Sequence, residues 1–496
     1  MAGRGVARSP VERVFGLLGL SFLLRDARTG QTYCRAYYHH TNKRRAIHKE
    51  RAMHPSGRES GSIVNFLVML IAFGAVVSMF IVGVAYLIKD LGGSDSGDRA
   101  LSLDGAQLTL LTVDDQRTAA ESLAKWFREE TGARVSVVDV PFAELLSTVY
   151  ADAESGAPRF DAAAVWYPDL GRLASEGLVV DLSATLAENP ELEAELDAAD
   201  FLFPLYDAYT LHQGSRFGLP FDGETHFLYY RPSLLAKYGF ETAPATWEEY
   251  LAAAEAITDG EGNSGTFGAA LMGLPSPLAI VSSYVNRLST YGGELVDETG
   301  RPTLDSPEAL AALTAMVEHY RHALPSPLET DEQAAFDAFL SGRVAMVEHW
   351  SGLARALNDP ARSALGEDWA VAPLPGASQA LNGGYTLTVL SASASIPETQ
   401  AFVFYAARPD VSRRLCALDD GLDPVRESAL ASDGFSAAHP QVSEAARLAT
   451  GNATAWPTDP ASLERLNLLA ENLAAALAGD MTAEKALQET QEAWSQ

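Results

Sequence analysis

The chain has 496 residues, 47% of them hydrophobic and 20% charged, and its 65 Asp/Glu against 36 Lys/Arg give a net charge of −29. That hydrophobic content excludes a disordered acidic chain, and a surface this negative excludes nucleic acid and anionic lipid as natural partners. About 400 residues follow residue 90, too many for one small core and suited to two or three domains.

The charge is not evenly spread. Residues 1–60 hold 12 Lys/Arg and 4 Asp/Glu, a balance of +8, so residues 61–496 carry −37. Between these parts runs Ile63 to Ile88, 26 residues without a charge. About 20 apolar residues suffice for one helical crossing of a bilayer, so this run is expected to span with room to tilt. Arg44, Arg45, Lys49, Arg51 and Arg58 lie close by and place the N-terminus on the cytoplasmic side. A cleaved signal peptide has an apolar stretch of about 7–15 residues ending at a small-residue site. This run is much longer and continues into Tyr86-Leu87-Ile88-Lys89, which predicts a retained anchor.

The expected order is a basic leader at 1–61, an anchor at 62–89 and a Gly/Ser/Asp-rich linker at 90–105. Within the leader, Phe15 to Leu24 is apolar but too short to cross. Met53 directly precedes the anchor and is expected to be the true start, with 1–52 an artefact of start-site choice. Cys34 and Cys416 are the two cysteines and fall on opposite sides of the anchor. No intramolecular disulfide joins them, and no cysteine ends the apolar run for lipid attachment.

Strand and helix patterns then alternate. Leu108, Leu110 and Val113 mark a strand, followed at helical spacing by Ala119, Leu123, Trp126 and Phe127. Val135, Val137, Val138 and Val140 mark a second strand, Phe142 to Ala153 a helix, and Ala162 to Trp166 a third strand. Such alternation predicts a mainly parallel sheet with helices on both faces. A second series opens with a strand at Phe227 to Arg231. Pro232 starts a short helix that ends at Gly239. Thr246 with Glu249 and Thr330 with Gln333 form capping-box patterns, and Ser306-Pro307 opens another helix. Arg343 to His349 and Trp369 to Leu374 read as strands. Ser462 to Trp494 is helical with a break at Gly479-Asp480.

Several segments carry a resemblance in order. GLPFDGETHFLYYRPSLLAKYGFETAPATWEEYLAAAEAI begins at Gly218, FLSGRVAMVEHW covers 339–350, and VAPLPG covers 371–376. NGGYTLTVLSAS covers 382–393 and LDPVRES 422–428. Together they resemble the extracytoplasmic solute-binding proteins of ABC importers, specifically the family for sugars and sugar-like solutes that includes maltose-binding proteins. The resemblance spans about residues 106–496 and implies an α/β fold of two lobes joined by hinge strands, the type II periplasmic-binding arrangement, here preceded by one transmembrane helix. On this pattern lobe one is 106–225 with 390–434, and lobe two is 226–389 with 435–496. The chain is expected to cross between lobes near Thr225 to Tyr229 and Gly384 to Leu390. A retained anchor departs from the family's usual cleaved or lipidated form.

A sugar offers hydroxyls on its rim and apolar C–H faces, so its pocket needs a few polar groups and flat rings. Carboxylates accept such hydroxyls through short charge-assisted bonds. Asp222 and Glu224, two residues apart in extended chain, are expected to point to one side, and the resemblance implies that this turn lies in the cleft. A solvated acidic turn is the plainer alternative. Trp166 and Tyr167 end the third strand, and Asp169 follows. Ligands of open α/β sheets sit beyond the carboxyl ends of strands. Trp166 is otherwise a core residue. Trp350 ends the strand carrying Ala345 and Met346. Gly383 and Gly384 suit close backbone approach or hinge flexibility, with Tyr385 as a ring wall. Arg426 either pins a solute group or pairs with a surface carboxylate. Trp456 is a further candidate. Asp114, Asp115 and Gln116 follow the first strand and either line the cleft or cap the next helix.

The ten histidines show no metal spacing, and His319 with His322 lacks a third ligand nearby, so no metal is expected. Phosphate loops and nucleophile elbows are absent, so no cofactor and no catalysis are expected. Asp222 and Glu224 as a glycosidase pair is the enzymatic alternative. The resemblance implies a binding subunit that captures a sugar or polyol by hinge closure and serves a separate ABC permease and ATPase. It would sit in the inner membrane by a single pass with its C-terminal domain outside. A solute sensor signalling to a membrane partner such as a sensor kinase is the rival reading.

Overall fold

The computed structural model describes residues 103–297, 299–376, 381–449 and 454–496, together with the backbone of Phe22–Arg25 and Thr32–Arg35. The chain divides into two units, 1–97 and 98–496. In the first, Phe22–Arg25 pairs antiparallel with Thr32–Arg35. The expected anchor at 62–89 and most of the leader and linker lie outside the described residues. Among the described residues, no helix is long and apolar enough to cross a membrane.

The second unit contains strands β1 (Gln107–Val113), β2 (Arg134–Val140), β3 (Ala162–Trp166), β4 (Leu219–Asp222), β5 (His226–Tyr230) and β6 (Phe267–Ala270). They are followed by β7 (Val344–Trp350), β8 (Ala370–Ala372), β9 (Leu381–Asn382), β10 (Tyr385–Val389) and β11 (Thr454–Ala455). Its longer helices include α1 (Arg117–Thr131), α2 (Phe142–Glu154), α3 (Trp247–Glu261), α4 (Ser282–Thr290), α5 (Pro307–His322), α6 (Glu332–Leu340), α7 (Ile396–Ala407), α8 (Ser462–Ala478) and α9 (Ala483–Trp494).

Two sheets organise these elements. The first has the order β2-β1-β3-β10-β4, with β1 parallel to β2 and β3, and β10 antiparallel to its neighbours. Every residue of β3 is buried, as befits a central strand covered on both faces. The second sheet has the order β6-β7-β5-β8. Leu228, Ala269 and Met346 from this sheet pack with Trp247, Tyr250 and Ile257 of α3 in a cluster of their own. Each large side chain buried there contributes roughly 1.5–3 kcal/mol.

Local chemistry sets the helix starts. Thr246 accepts the Glu249 N–H at 3.2 Å, while Glu249 reaches back to the Ala245 N–H at 2.8 Å. Ser306 caps α5 and Pro307 fills its first turn. For α6 the cap is Asp331, which accepts the Ala334 N–H at 2.7 Å, in place of Thr330. An ionised carboxylate at a helix N-terminus is the stronger acceptor.

The chain passes between the sheets at adjacent points. β4 ends the first sheet at Asp222, and β5 opens the second at His226. Going back, β9 at 381–382 leads through Gly383-Gly384 into β10 of the first sheet. The sequence boundary at 390 had put Tyr385–Val389 in lobe two. Pairing of Tyr385 with Trp166 and of Thr386 with Pro220 puts this strand in the first sheet. The two passages are tied together by a bridge between Thr225 and Asn382 and by the Gly383 N–H donating to Glu224 O at 2.8 Å. β11 pairs in parallel with β9 beside them. Gly384 has φ +106°, and a Cβ there would lie 2.2 Å from Asp222 O, so only glycine fits.

Candidate functional site

Side chains with functional chemistry gather where these passages meet the carboxyl ends of β1 and β3. Gln116 follows β1; its Nε2 donates to Asp222 Oδ2 at 2.9 Å, and its Oε1 accepts from Thr112 at 2.6 Å. The other Asp222 oxygen accepts the Asp423 N–H at 2.8 Å. Asp222 is therefore buried and fully engaged: it fixes the segment that carries Asp423. The Asp423 side chain accepts Ser351 Oγ at 2.6 Å and stands 4.0 Å from Arg355 Nη2. Among the described residues, no hydrogen bond holds the Arg355 guanidinium.

Like charges make this group electrostatically tense. Burial first, then Asp423, push the Asp222 carboxyl up to about 7, against Arg355 and the two hydrogen bonds. Burial, then Asp222 and Asp423, hold Glu224 well above the usual carboxylate range. Asp115 is exposed, yet desolvation by surrounding protein and the adjacent Asp114 raise it, with Arg355 and Arg362 opposing. One arginine thus serves several acids.

An aromatic wall adjoins the carboxylates. Trp166 meets Phe142 edge-on at 5.7 Å and Trp456 at 6.0 Å, and Phe142 reaches Tyr385 at 6.5 Å. Tyr167 stacks on Tyr209 at 4.0 Å, and its hydroxyl donates to Asn382 O while accepting the Trp456 N–H. Trp350 lies 3.8 Å from the His226 ring, and a Cβ on Gly383 would fall 2.6 Å from its six-membered ring. Three buried polar atoms here lack a hydrogen-bond partner among the described residues: Asp169 Oδ1, His226 Nε2 and Trp456 Nε1. Burial, countered by Arg172, raises Asp169 to about 7.

Of the residues expected to bind solute, Asp115, Trp166, Tyr167, Asp222, Glu224, Trp350, Gly384 and Tyr385 fall in this region. Tyr167 serves as an internal strut, and Gly384 is needed for its backbone. Arg426 is elsewhere. It is fully buried, with its guanidinium donating to the carbonyls of Leu196, Asp197 and Ala407 and pairing with Asp200 at 3.3 Å. Both expected roles, solute contact and surface pairing, give way to an internal tie within lobe one.

Sequence reasoning passed over Asp423, Ser351 and Arg355. Asp423 lies three residues before Arg426 in the same quoted segment; Ser351 and Arg355 follow Trp350 in a turn and short helix without a distinctive pattern. A third ligand for His322 also went unseen. Glu255 on α3 and Glu318, one turn earlier on α5, bring carboxylate oxygens to within 4.8 Å of one another and of the His322 ring. His319 is buried instead, its Nδ1 accepting Arg287 Nε at 3.0 Å.

Residues 112–412 match the profile of the bacterial extracellular solute-binding proteins. The chain belongs to that family. Its relatives include a probable amino-acid ABC transporter periplasmic-binding protein of Sinorhizobium fredii, 25% identical over 63% of this chain and 70% of the relative. A probable ABC transporter-binding protein of Deinococcus radiodurans is 29% identical over 40% of this chain and 49% of its own. Among solved structures, the ribitol complex of an Agrobacterium radiobacter solute-binding protein superposes with TM-score 0.66 at 24% identity. Maltose-bound MalE3 of T. maritima gives TM-score 0.68 at 23%. Each covers 79% of this chain and 99% of the other. These likenesses establish the two-lobe α/β fold, and the family is extracytoplasmic.

Proposed function

We propose that this chain is the solute-capturing subunit of an ABC importer and that its solute is a sugar or polyol. The observation that carries the reading is the joining of carboxylates and aromatic rings at the two tied passages between the sheets. Carboxylates accept hydroxyls, and rings offer flat contact to C–H faces. Solved relatives of the same fold hold ribitol, maltose, tagatose or mannitol. Function proceeds by closure: the lobes swing about 223–225 and 383–384, solute fills the space between, and a permease reads the closed form. No catalytic step is proposed.

The uncharged run at 63–88, set between +8 and −37, supports a tether that keeps the binding unit beside its membrane partner. A thermal-shift screen of the full chain against sugars, polyols and amino acids tests the solute class. Binding stabilises by RT ln(1 + [L]/Kd), so a sugar or polyol at about 100 Kd adds about 2.7 kcal/mol. A shift confined to amino acids, the class named for the Sinorhizobium relative, would reject the proposal. Recovery of the chain in a salt-washed membrane fraction tests the tether.

A further inference from the structure

We propose that Glu255, Glu318 and His322 hold a zinc ion that clips helix α3 to helix α5 beside the second sheet. The site is separate from the proposed solute region and does not depend on that reading. Glu318 and His322 are four residues apart on α5, so they share one helix face. Glu255 comes from α3. His322 Nε2 stands 3.2 Å from Glu255 Oε1 and 3.7 Å from Glu318 Oε1, and the three ligand atoms all lie within 4.8 Å of one another. Zinc bonds of about 2.0–2.2 Å at tetrahedral angles set neighbouring ligand atoms roughly 3.3 Å apart. The two measured edges bracket that value. The third edge joins the two carboxylates, whose side chains are 43% and 42% exposed and free to rotate inward.

The helix crossing is fixed independently of any ion. His319, three residues earlier on α5, is buried, with its ring 5.6 Å from Trp247 and 5.3 Å from Tyr250 of α3. Thr258 of α3 donates its hydroxyl to His322 O at 3.2 Å and accepts the Gly268 N–H at 2.9 Å. Thr258 follows Glu255 by three residues, so α3 holds the His322 backbone close to where Glu255 meets its ring. Glu318 has an outer support as well: Arg321 donates to its Oε2, while Oε1 faces His322. A ligating carboxylate held in this way is oriented before the ion arrives. Ligands carried by packed helices also keep their spacing better than ligands on loops. His322 is the last residue of α5, where the negative end of the helix favours a cation.

An ion pair without metal accounts for less of this geometry. Both carboxylates face the same imidazole nitrogen. That nitrogen carries at most one hydrogen, which serves one carboxylate and leaves the other beside a like charge. A divalent ion meets all three lone pairs at once and keeps a fourth position for water. The donor set also selects the metal. Calcium and magnesium are hard cations that take six or more oxygen ligands, whereas an imidazole nitrogen suits zinc and neighbouring transition metals.

The test is calorimetric titration of the full chain with zinc chloride, with calcium chloride and magnesium chloride in parallel. Zinc is expected to bind and to raise the melting temperature, and the other two ions to do neither. His322→Ala, Glu255→Gln and Glu318→Gln should each weaken zinc by about tenfold or more, with metal-free melting temperatures close to that of the parent chain. Cobalt in place of zinc should show the visible absorption of a tetrahedral ion, and His322→Ala should abolish it. His39 and His40 are adjacent in the leader, so a double His39→Ala, His40→Ala variant is the control and should keep the cobalt bands. Absence of zinc binding, equal zinc affinity in all three site variants, or loss of the cobalt bands in the leader variant alone overturns the site and leaves an ion pair between two helices. Calcium binding as tightly as zinc rejects it too, because the imidazole would then contribute nothing.

Discussion

Two arginines of this chain meet acids in opposite ways. Arg426 is sealed in lobe one, where three carbonyls and Asp200 answer its donors. Arg355 stands 4.0 Å from one carboxylate, within reach of the fields of others, with its side chain 24% exposed. A buried charge with all donors satisfied holds a structure in one arrangement. Arg355, with no hydrogen bond among the described residues and one carboxylate at 4.0 Å, is not locked in the same way. The first region ties lobe one together and the second is the proposed binding region, and variants should separate them.

The largest effect is expected from Arg426→Ala. It removes the guanidinium that answers the carbonyls of Leu196, Asp197 and Ala407 and leaves Asp200 with its Ser428 hydrogen bonds but without its ion-pair partner, which costs about 3 kcal/mol. The melting temperature falls steeply, while any folded fraction keeps its solute affinity. A normal melting temperature with lost binding would return Arg426 to the cleft.

Next comes Trp350→Ala, which removes a ring of the proposed wall. Loss of a central aromatic contact costs about 2 kcal/mol of binding, roughly thirtyfold in Kd, with little change in unliganded stability. Unchanged affinity would take Trp350 out of the site.

These two residues also show what sequence makes legible. The strand–helix alternation and the Ser306 cap follow from periodicity and local hydrogen bonding, which neighbouring residues determine, whereas the two lobes follow from the family resemblance. Trp350 is expected in the cleft from its place in the family pattern, and the structure sets it against His226 and Gly383 beside the passages. Arg426 could not be assigned, because its partners come from residues 196–200 and 407, brought together only by folding. Arg355 and Asp423 were hidden for the same reason: their role is a sum of charges from distant segments. Glu255 reaching His322 across two helices is a third case.

A third prediction concerns pH. The Asp222 carboxyl titrates near 7 when folded and near 3.8 otherwise, so between these values the folded chain holds the extra proton. Its contribution to stability is greatest below that window and is lost as pH rises through it. The slope amounts to about 1.4 kcal/mol per pH unit for one full proton. Asp222→Asn should flatten this slope in denaturation curves at pH 4–7. An unaltered slope would mean that burial and the neighbouring Asp423 do not raise the Asp222 carboxyl.

The smallest effect is the most selective. Gly383 and Gly384 sit side by side but are glycine for different reasons. At Gly384 a Cβ meets the Asp222 carbonyl at 2.2 Å with φ at +106°, so alanine strains the backbone passage itself. At Gly383 the obstacle is the Trp350 ring, with carbons at 2.6 and 2.9 Å. A partly buried ring yields where a backbone carbonyl does not. Gly383→Ala should therefore leave folding near normal and tilt Trp350 away from its place in the proposed wall, costing about 1 kcal/mol of affinity, several-fold in Kd. Gly384→Ala should lower the melting temperature first. If both variants lost stability equally and Gly383→Ala bound solute normally, the ring would be a packing element of the hinge, and the binding wall would have to be sought around Trp166 and Tyr385.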